Sequence, residues 1–184
     1  LSLTTISPEE ALEDMEGVTV TSDITDVRIR LADGRELPAS VVLRDRDRDL
    51  AFIRTLTPTT APLTALNLTA TSVPGPLDEV IYVTRTGAIV NRALAMSVDR
   101  IQAVVEKPRR FFFPGIVAMS SGLGAQAFAL DGSVVGMLVL RKVPRGTVDE
   151  SGVGSGMGQS NTMFIILPAA EIAEAAKEAM AVAR

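Results

Sequence analysis

Residues 27–54 read VRIRLADGRELPASVVLRDRDRDLAFIR, and this stretch carries the clearest fold signal in the chain. Apolar and polar residues alternate over VRIRL, which is the period of a strand with one buried face. Asp33-Gly34 then supplies a tight turn into the next strand. A further apolar run, LAFI, begins at Leu50 directly after three Arg–Asp pairs. The stretch therefore predicts consecutive strands joined by short turns.

The rest of the chain continues with short apolar runs separated by turn signals. Many short strands at this spacing are typical of an all-β sandwich or barrel. Residues 57–76 are rich in Thr and Pro, which suits a connection between two halves. Beyond the opening stretch, strands are expected at residues 79–84, 93–97, 101–106, 111–113, 116–119, 126–130, 133–140 and 162–167.

Helical signals are few and lie near the two ends. Ser7 and Pro8, followed by two Glu residues, predict a short helix towards Met15. Pro168 opens a run rich in Ala, Glu and Lys, which predicts a closing helix over residues 169–183. We expect Ile172, Ala176 and Met180 to share one face of that helix.

Composition narrows the classes of function. The 184 residues suffice for one domain, and 47% hydrophobic with 22% charged residues is typical of a globular protein. A formal net charge of −4, with both signs mixed along the chain, gives no footprint for nucleic acid. No apolar run reaches the roughly 20 residues of a membrane-spanning helix. Cys is absent from the sequence, which excludes thiolate chemistry. His is also absent, and His is the commonest general base near neutral pH and the commonest ligand of transition metals.

The sequence contains partial matches to two motifs that bind ions or phosphates, but each match lacks required residues. Asp45, Asp47 and Asp49 match the first three ligand positions of an EF-hand loop, but its required Gly and Glu positions hold Leu50 and Leu56. Residues 143–161 form a Gly/Ser-rich loop without the Lys-Ser/Thr of a phosphate-binding loop, so a flexible or functional loop is expected. We therefore expect no metal and no cofactor. Asp45 and Asp47 are interpreted as solvated surface charges, whereas Asp49 abuts the apolar run.

The order of the motifs resembles the HtrA-type branch of the trypsin-like serine proteases. Residues 27–54 are similar to a family segment in which a DGR hairpin leads to a strand and the Asp of D-L-A is the triad acid; Asp49 falls on that position. Residues 118–137, AMSSGLGAQAFALDGSVVGM, resemble the nucleophile region, where Ser121-Gly122 fits the nucleophile and the Gly after it. Residues 163–168 and the last helix resemble the family's closing strand and helix.

The departures from the family pattern concern its chemistry. The segment Leu3-Thr4-Thr5-Ile6 resembles the one that carries the catalytic His, with Ile6 in its place. Met119 replaces the Gly two positions before the nucleophile. Counting back from Asp131-Gly132 instead puts Leu123 at the nucleophile position, so Ser121 fits only with a small insertion. A serine without an adjacent base is a poor nucleophile, and the triad acid only orients the base.

The resemblance implies one trypsin-like domain over residues 1–184 with two β-barrels and a C-terminal helix. Residues 1–56 would be the remainder of an N-terminal barrel truncated at Leu1. Residues 57–76 would connect it to a C-terminal barrel over residues 77–168, followed by the helix of residues 169–183. An upstream segment or an oligomeric partner could complete the first barrel. Relatives of this type suggest the cell envelope or a secreted setting.

The expected function is that of an inactive protease homologue that binds an extended peptide or protein, or serves as a structural module. Asp49 and Ser121 would be vestigial triad positions, and the binding contacts would be Met119, Ser120 and Gly122 in a cleft between the barrels. The alternative is a divergent HtrA-like serine endopeptidase whose base is a non-His residue or comes from another chain.

Overall fold

The strands predicted within residues 27–54 form an antiparallel three-stranded sheet. The computed structural model of the chain describes residues 26–31, 33–59, 63, 65–142 and 162–182. The first turn is built as predicted: Gly34 has a φ of 87°, which is open to a residue without Cβ, and the Arg35 N–H donates to Asp33 Oδ1 at 3.0 Å. The sheet has the order β1–β2–β3, with strands β1 (Val27–Arg30), β2 (Glu36–Asp45) and β3 (Leu50–Thr55).

The following strands close into a six-stranded antiparallel barrel. Around the barrel the order is β4–β5–β6–β9–β8–β7. Its strands are β4 (Glu79–Arg85), β5 (Leu94–Val105), β6 (Phe111–Pro114), β7 (Gln126–Phe128), β8 (Val134–Lys142) and β9 (Thr162–Pro168). Each strand of the ring pairs with a neighbour on either side over part of its length, and such closure is how β-proteins of this kind protect their sheet edges.

The barrel is filled by residues that alternate along its strands. Val80 and Tyr82 point inward from β4, and both are fully buried. Ile101, Phe112 and Leu138 meet them from three other strands, with exposures of 0%, 1% and 0%. β8 is buried almost continuously from Val134 to Val139 because Gly136 lets the backbone of β9 approach closely.

The predicted C-terminal helix is present, and its most buried positions are alanines. Helix α2 spans Ala169–Val182. Ala175 and Ala179 are buried, whereas Met180 is 61% exposed, so the packing face is set by small residues. Ile172, Ala176 and Met180 are spaced by four residues within this helix, and the face that they share is less buried than the one that carries Ala175 and Ala179. Among the described helices, none combines the length and apolar character that crossing a bilayer requires.

Two strand predictions also need correction. Residues 116–119 do not form a strand; they belong to a turn and to the short helix α1 (Val117–Ser121). The runs at 93–97 and 101–106 belong to one continuous strand, β5, because residues 98–100 between them keep an unbroken pairing with β4. The helix predicted near residues 7–15 and the loop of residues 143–161 lie outside the described residues.

The chain divides into two units. One comprises residues 1–65 together with residues 176–184, and the described part of it holds the three-stranded sheet. The other comprises residues 66–175 and holds the closed barrel and helix α1.

Candidate functional site

Helix α1 carries the serine predicted at the nucleophile position, and an internal carboxylate holds the start of this helix. Asp99 on β5 accepts a hydrogen bond from the Ala118 N–H through Oδ2 at 3.0 Å. A carboxylate at a helix N-terminus satisfies a donor that has no partner within the helix. Gly115 makes this approach feasible, because a Cβ at that position would overlap the Asp99 carboxylate. Asp99 therefore fixes where α1 begins.

Ser121 lies at the other end of α1, and its hydroxyl is turned into the barrel. The residue is only 8% exposed. Its Oγ lies 2.8 Å from Ser97 Oγ and donates to the Val117 carbonyl at 3.2 Å. These contacts are mutually consistent when the Ser97 hydroxyl donates to Ser121. Both partners are neutral, so neither can take the Ser121 proton near neutral pH.

The three residues predicted as binding contacts surround Ser121 in sequence. Ser120 is exposed and donates its hydroxyl to the Val117 carbonyl at 2.7 Å. Gly122 is exposed and ends the helix with a φ of 83°, a conformation that favours glycine. Met119 is a helical residue of α1. Ile116, at 79% exposed, and Leu123, at 38%, add apolar surface on either side of this segment.

Tyr82 completes the polar groups beneath α1. Its Oη is buried and has no hydrogen-bond partner in the described chain. Burial and the negative charge of Asp99 both raise the pKa of the Tyr82 hydroxyl far above its ordinary value, so the side chain is neutral at physiological pH. The region below the helix thus combines one carboxylate, one phenol and two serine hydroxyls.

Sequence reasoning missed Ser97, Asp99 and Tyr82. They could have been found from the alternation of side chains along the strands, which places them at inward-facing positions. Ser97 and Asp99 share the inward face of β5 with the fully buried Ile101, and polar residues at inward positions of a barrel strand need a specific partner.

Asp49, the predicted triad acid, lies in the turn between β2 and β3. It has a φ of 52°, a left-handed conformation that Asp tolerates better than most residues. Its neighbour Arg48 donates its N–H to Asp45 Oδ1 at 3.0 Å and pairs its guanidinium with the other oxygen at 2.5 Å. The Asp45 side chain is 13% exposed, so its interpretation as a solvated surface charge is wrong. Asp47 is exposed, in agreement with the sequence-based interpretation.

The predicted triad positions are distributed over different parts of the chain. Asp49 belongs to the unit of the three-stranded sheet and Ser121 to the barrel unit. Ile6 lies outside the described residues. Within the described residues, no group of three or more His, Cys, Asp or Glu side chains is arranged to hold a metal ion.

Two solved structures with a similar fold are proteases. The protease domain of MamO from Magnetospirillum magneticum has a TM-score of 0.55 and 18% identity, covering 82% of this chain and 74% of that one. A serine endoprotease from Yersinia pestis also has a TM-score of 0.55 and 18% sequence identity, and the match covers 88% of this chain. This chain spans about half of the Yersinia protein, 51% of its length. No family model and no curated protein matches the sequence. These likenesses establish the fold, so the predicted trypsin-like architecture with a C-terminal helix is confirmed.

Proposed function

We propose that this chain is a non-catalytic relative of the trypsin-like serine proteases that binds an extended peptide or protein segment. The observation that carries the proposal is the state of Ser121. Its hydroxyl is buried, and it bonds to a second serine and to a main-chain carbonyl rather than to a base. A hydroxyl in this setting stabilises the end of helix α1.

The chemistry of acyl transfer supports the same conclusion. A serine becomes a nucleophile when an adjacent base removes its proton, and the sequence contains no His to do so. The Ser97 hydroxyl is the nearest side-chain partner, and an alcohol is too weak a base near neutral pH. In a protease triad, loss of the base costs on the order of 10⁶ in kcat.

The backbone N–H groups of helix α1 are also poorly placed to stabilise a transition state. An oxyanion hole needs N–H donors that converge on one developing charge. In an α-helix the Ser121 N–H is directed at the carbonyl four residues earlier, which is that of Val117. The Ala118 N–H is taken by the Asp99 carboxylate, whose negative charge would oppose an oxyanion beside it.

The surface around Ser121 is suited to contact rather than to chemistry. Ile116 and Leu123 expose apolar side chains, while Ser120 and Gly122 expose a hydroxyl and backbone between them. An extended ligand that lies over this segment would bury apolar surface and find hydrogen-bonding groups beside it. The proposed ligand is therefore a peptide with apolar side chains, bound without cleavage.

Labelling with a fluorophosphonate probe tests the absence of catalysis. The purified chain should remain unlabelled under conditions in which trypsin reacts completely. Ser120→Ala is the matched control because Ser120 is the exposed serine next to Ser121. Labelling that persists in Ser120→Ala and disappears in Ser121→Ala would establish a divergent hydrolase instead.

Selection from a displayed random-peptide library tests the binding role. Enriched peptides should carry apolar side chains, and the double variant Ile116→Ser/Leu123→Ser should weaken their binding about tenfold or more, since two apolar contacts are lost. Leu66→Ser is the control, because Leu66 is 49% exposed in the same unit but distant in sequence. Equal loss of binding in both variants, or no enrichment at all, would contradict the proposal.

A further inference from the structure

The hairpin formed by β4 and β5 extends past the pairing of the barrel. β4 pairs with β7 only over residues 81–83, and β5 pairs with β6 only from Ile101 onward. The two strands continue to pair with each other as far as Arg85 and Leu94. In the described chain this end of the hairpin has no third strand beside it, so it projects from the barrel.

The projecting hairpin exposes a continuous apolar surface. At its tip, the 3-10 turn Ala88–Val90 leaves Ile89 97% exposed, which means that its side chain contacts almost nothing. Along β5, every second residue faces outward, and the three outward positions nearest the turn are apolar: Leu94, Met96 and Val98. We call these residues the hairpin patch; it consists of Ile89 (97% exposed), Val90 (52%), Leu94 (60%), Met96 (64%) and Val98 (55%).

Between Glu79 and Asp99, the charged side chains of the hairpin have one sign. Residues 80–98 contain Arg85 and Arg92 and no Asp or Glu, although the whole chain has a net charge of −4. Arg85 Nη1 donates to the Arg92 carbonyl at 3.2 Å, which holds both arginines at the base of the turn. Neither is in an ion pair in the part of the chain that the structure describes. Arg100, farther along the same face, is neutralised by Glu79 at 2.7 Å.

We propose that the hairpin patch docks on an anionic lipid bilayer, with Ile89 and Val90 in the interfacial region and Arg85 and Arg92 at the lipid headgroups. Apolar side chains flanked by cations are the combination that binds such an interface, because burial of apolar surface and attraction to anionic lipid add. Arginine can hold its charge at headgroup depth while its stem lies along apolar surface.

The shape of the hairpin favours a bilayer over a folded protein partner. A stable protein interface needs a broad complementary surface of about 800 Å² on each side. The patch is instead a projecting tip with a narrow row of side chains behind it, and a tip of this kind can enter a fluid interface without a matching groove. This inference is independent of whether Ser121 is catalytic.

Co-sedimentation with vesicles tests the proposal. The chain should pellet with vesicles of phosphatidylcholine mixed with phosphatidylglycerol, and at least about tenfold less with phosphatidylcholine alone. Ile89→Ser/Val90→Ser should weaken binding about tenfold or more. Arg85→Gln/Arg92→Gln should weaken it about 25-fold, from roughly 1 kcal/mol for each cation. Raising NaCl to about 0.5 M should reduce binding because the attraction is screened.

A matched control distinguishes docking through the hairpin patch from nonspecific adsorption to vesicles. Leu56→Ser replaces a leucine that is 63% exposed in the other unit, and it should leave vesicle binding unchanged. All replaced side chains are exposed, so each variant should keep the wild-type unfolding midpoint. Equal binding to neutral vesicles, or unchanged binding by the tip variant, would overturn the proposal. A third result would also overturn it: the wild type forms a concentration-dependent dimer but binds no vesicles, and Ile89→Ser/Val90→Ser abolishes the dimer. The hairpin patch would then bind a second copy of the chain.

Discussion

Ser121 Oγ lies 2.8 Å from Ser97 Oγ, so the serine that the sequence predicts at the nucleophile position has another serine as its side-chain partner. Two hydroxyls can satisfy each other in a buried setting, and this pair joins the end of helix α1 to strand β5. Neither hydroxyl activates the other, because an alcohol is too weak a base to take a proton near neutral pH. The pair is therefore a structural contact between the helix and the barrel strand.

The first prediction concerns the stability that this contact provides. Ser121→Ala removes a buried hydrogen bond and leaves the Ser97 hydroxyl without this partner, which should lower the free energy of unfolding by about 1–3 kcal/mol. Ser120→Ala, whose side chain is exposed, should change it by about 0.5 kcal/mol or less. Urea denaturation measures both values. Equal effects of the two substitutions would show that the burial of Ser121 does not matter to the fold.

The second prediction concerns the close approach of Asp99 to Gly115. Gly115→Ala places a Cβ on the Asp99 carboxylate and should destabilise the barrel by about 1–3 kcal/mol, because the carboxylate must move away from the Ala118 N–H. Gly87→Ala is the control, since a Cβ there meets nothing within 4 Å and its φ of −64° suits alanine. Gly87→Ala should be neutral or slightly stabilising.

A double-mutant cycle makes the second prediction sharper. Asp99→Ala alone also destabilises the barrel, because the Ala118 N–H loses its acceptor. In the double variant the added Cβ no longer meets a carboxylate, so the combined loss should be smaller than the sum of the two single losses. Strict additivity in thermal or urea unfolding would contradict the assigned overlap.

The strands of residues 27–54 were predictable because their signals are local. Alternation with a period of two identifies a half-buried strand, and Asp33-Gly34 identifies its turn without reference to the rest of the chain. The match of Asp49 and Ser121 to a family pattern gave the trypsin-like fold through the order of motifs along the sequence. The same information says nothing about how far each side chain is buried.

Helix α1 was missed because its cause is distant in sequence. Residues 116–119 read IVAM, an apolar β-branched run that favours a strand by local preference. The helix forms where the Asp99 carboxylate, 19 residues earlier, accepts the Ala118 N–H. Such tertiary capping leaves no signal in a short window, although polar residues at the inward positions Ser97 and Asp99 marked an unusual place in the barrel.

The third prediction concerns an exposed turn whose carboxylate is held by two donors. The hydroxyl and the backbone N–H of Ser133 donate to Asp131 Oδ1 at 2.6 and 2.9 Å and lower the pKa of the Asp131 carboxyl below its ordinary value of 3.8. A carboxyl whose pKa is lower in the folded state adds stability above its unfolded pKa, and that stability is lost as the pH falls through the folded value. The effect is thus confined to pH values below about 4.

Ser133→Ala tests this assignment by removing the stronger donor. The pKa of Asp131 should rise towards 3.8 in an NMR titration, since only the backbone N–H remains. The carboxyl of Asp33 is the internal control: its pKa is lowered by hydrogen bonds from Arg35, and it should not change in this variant. A shift of both carboxyls would indicate a general change in the protein instead of a local one.

The fourth prediction concerns the phenol of Tyr82, which is buried without a hydrogen-bond partner in the described chain. Tyr82→Phe keeps the ring that fills the barrel and removes only the hydroxyl, so it should raise the free energy of unfolding by about 1 kcal/mol. Tyr82→Leu is the contrasting variant: it shortens the side chain, leaves a cavity beside Phe112 and Leu138, and should destabilise by about 2–4 kcal/mol. Urea denaturation separates the two outcomes. A loss of stability in Tyr82→Phe would contradict the prediction and would mean that the hydroxyl is satisfied in solution, as by a buried water.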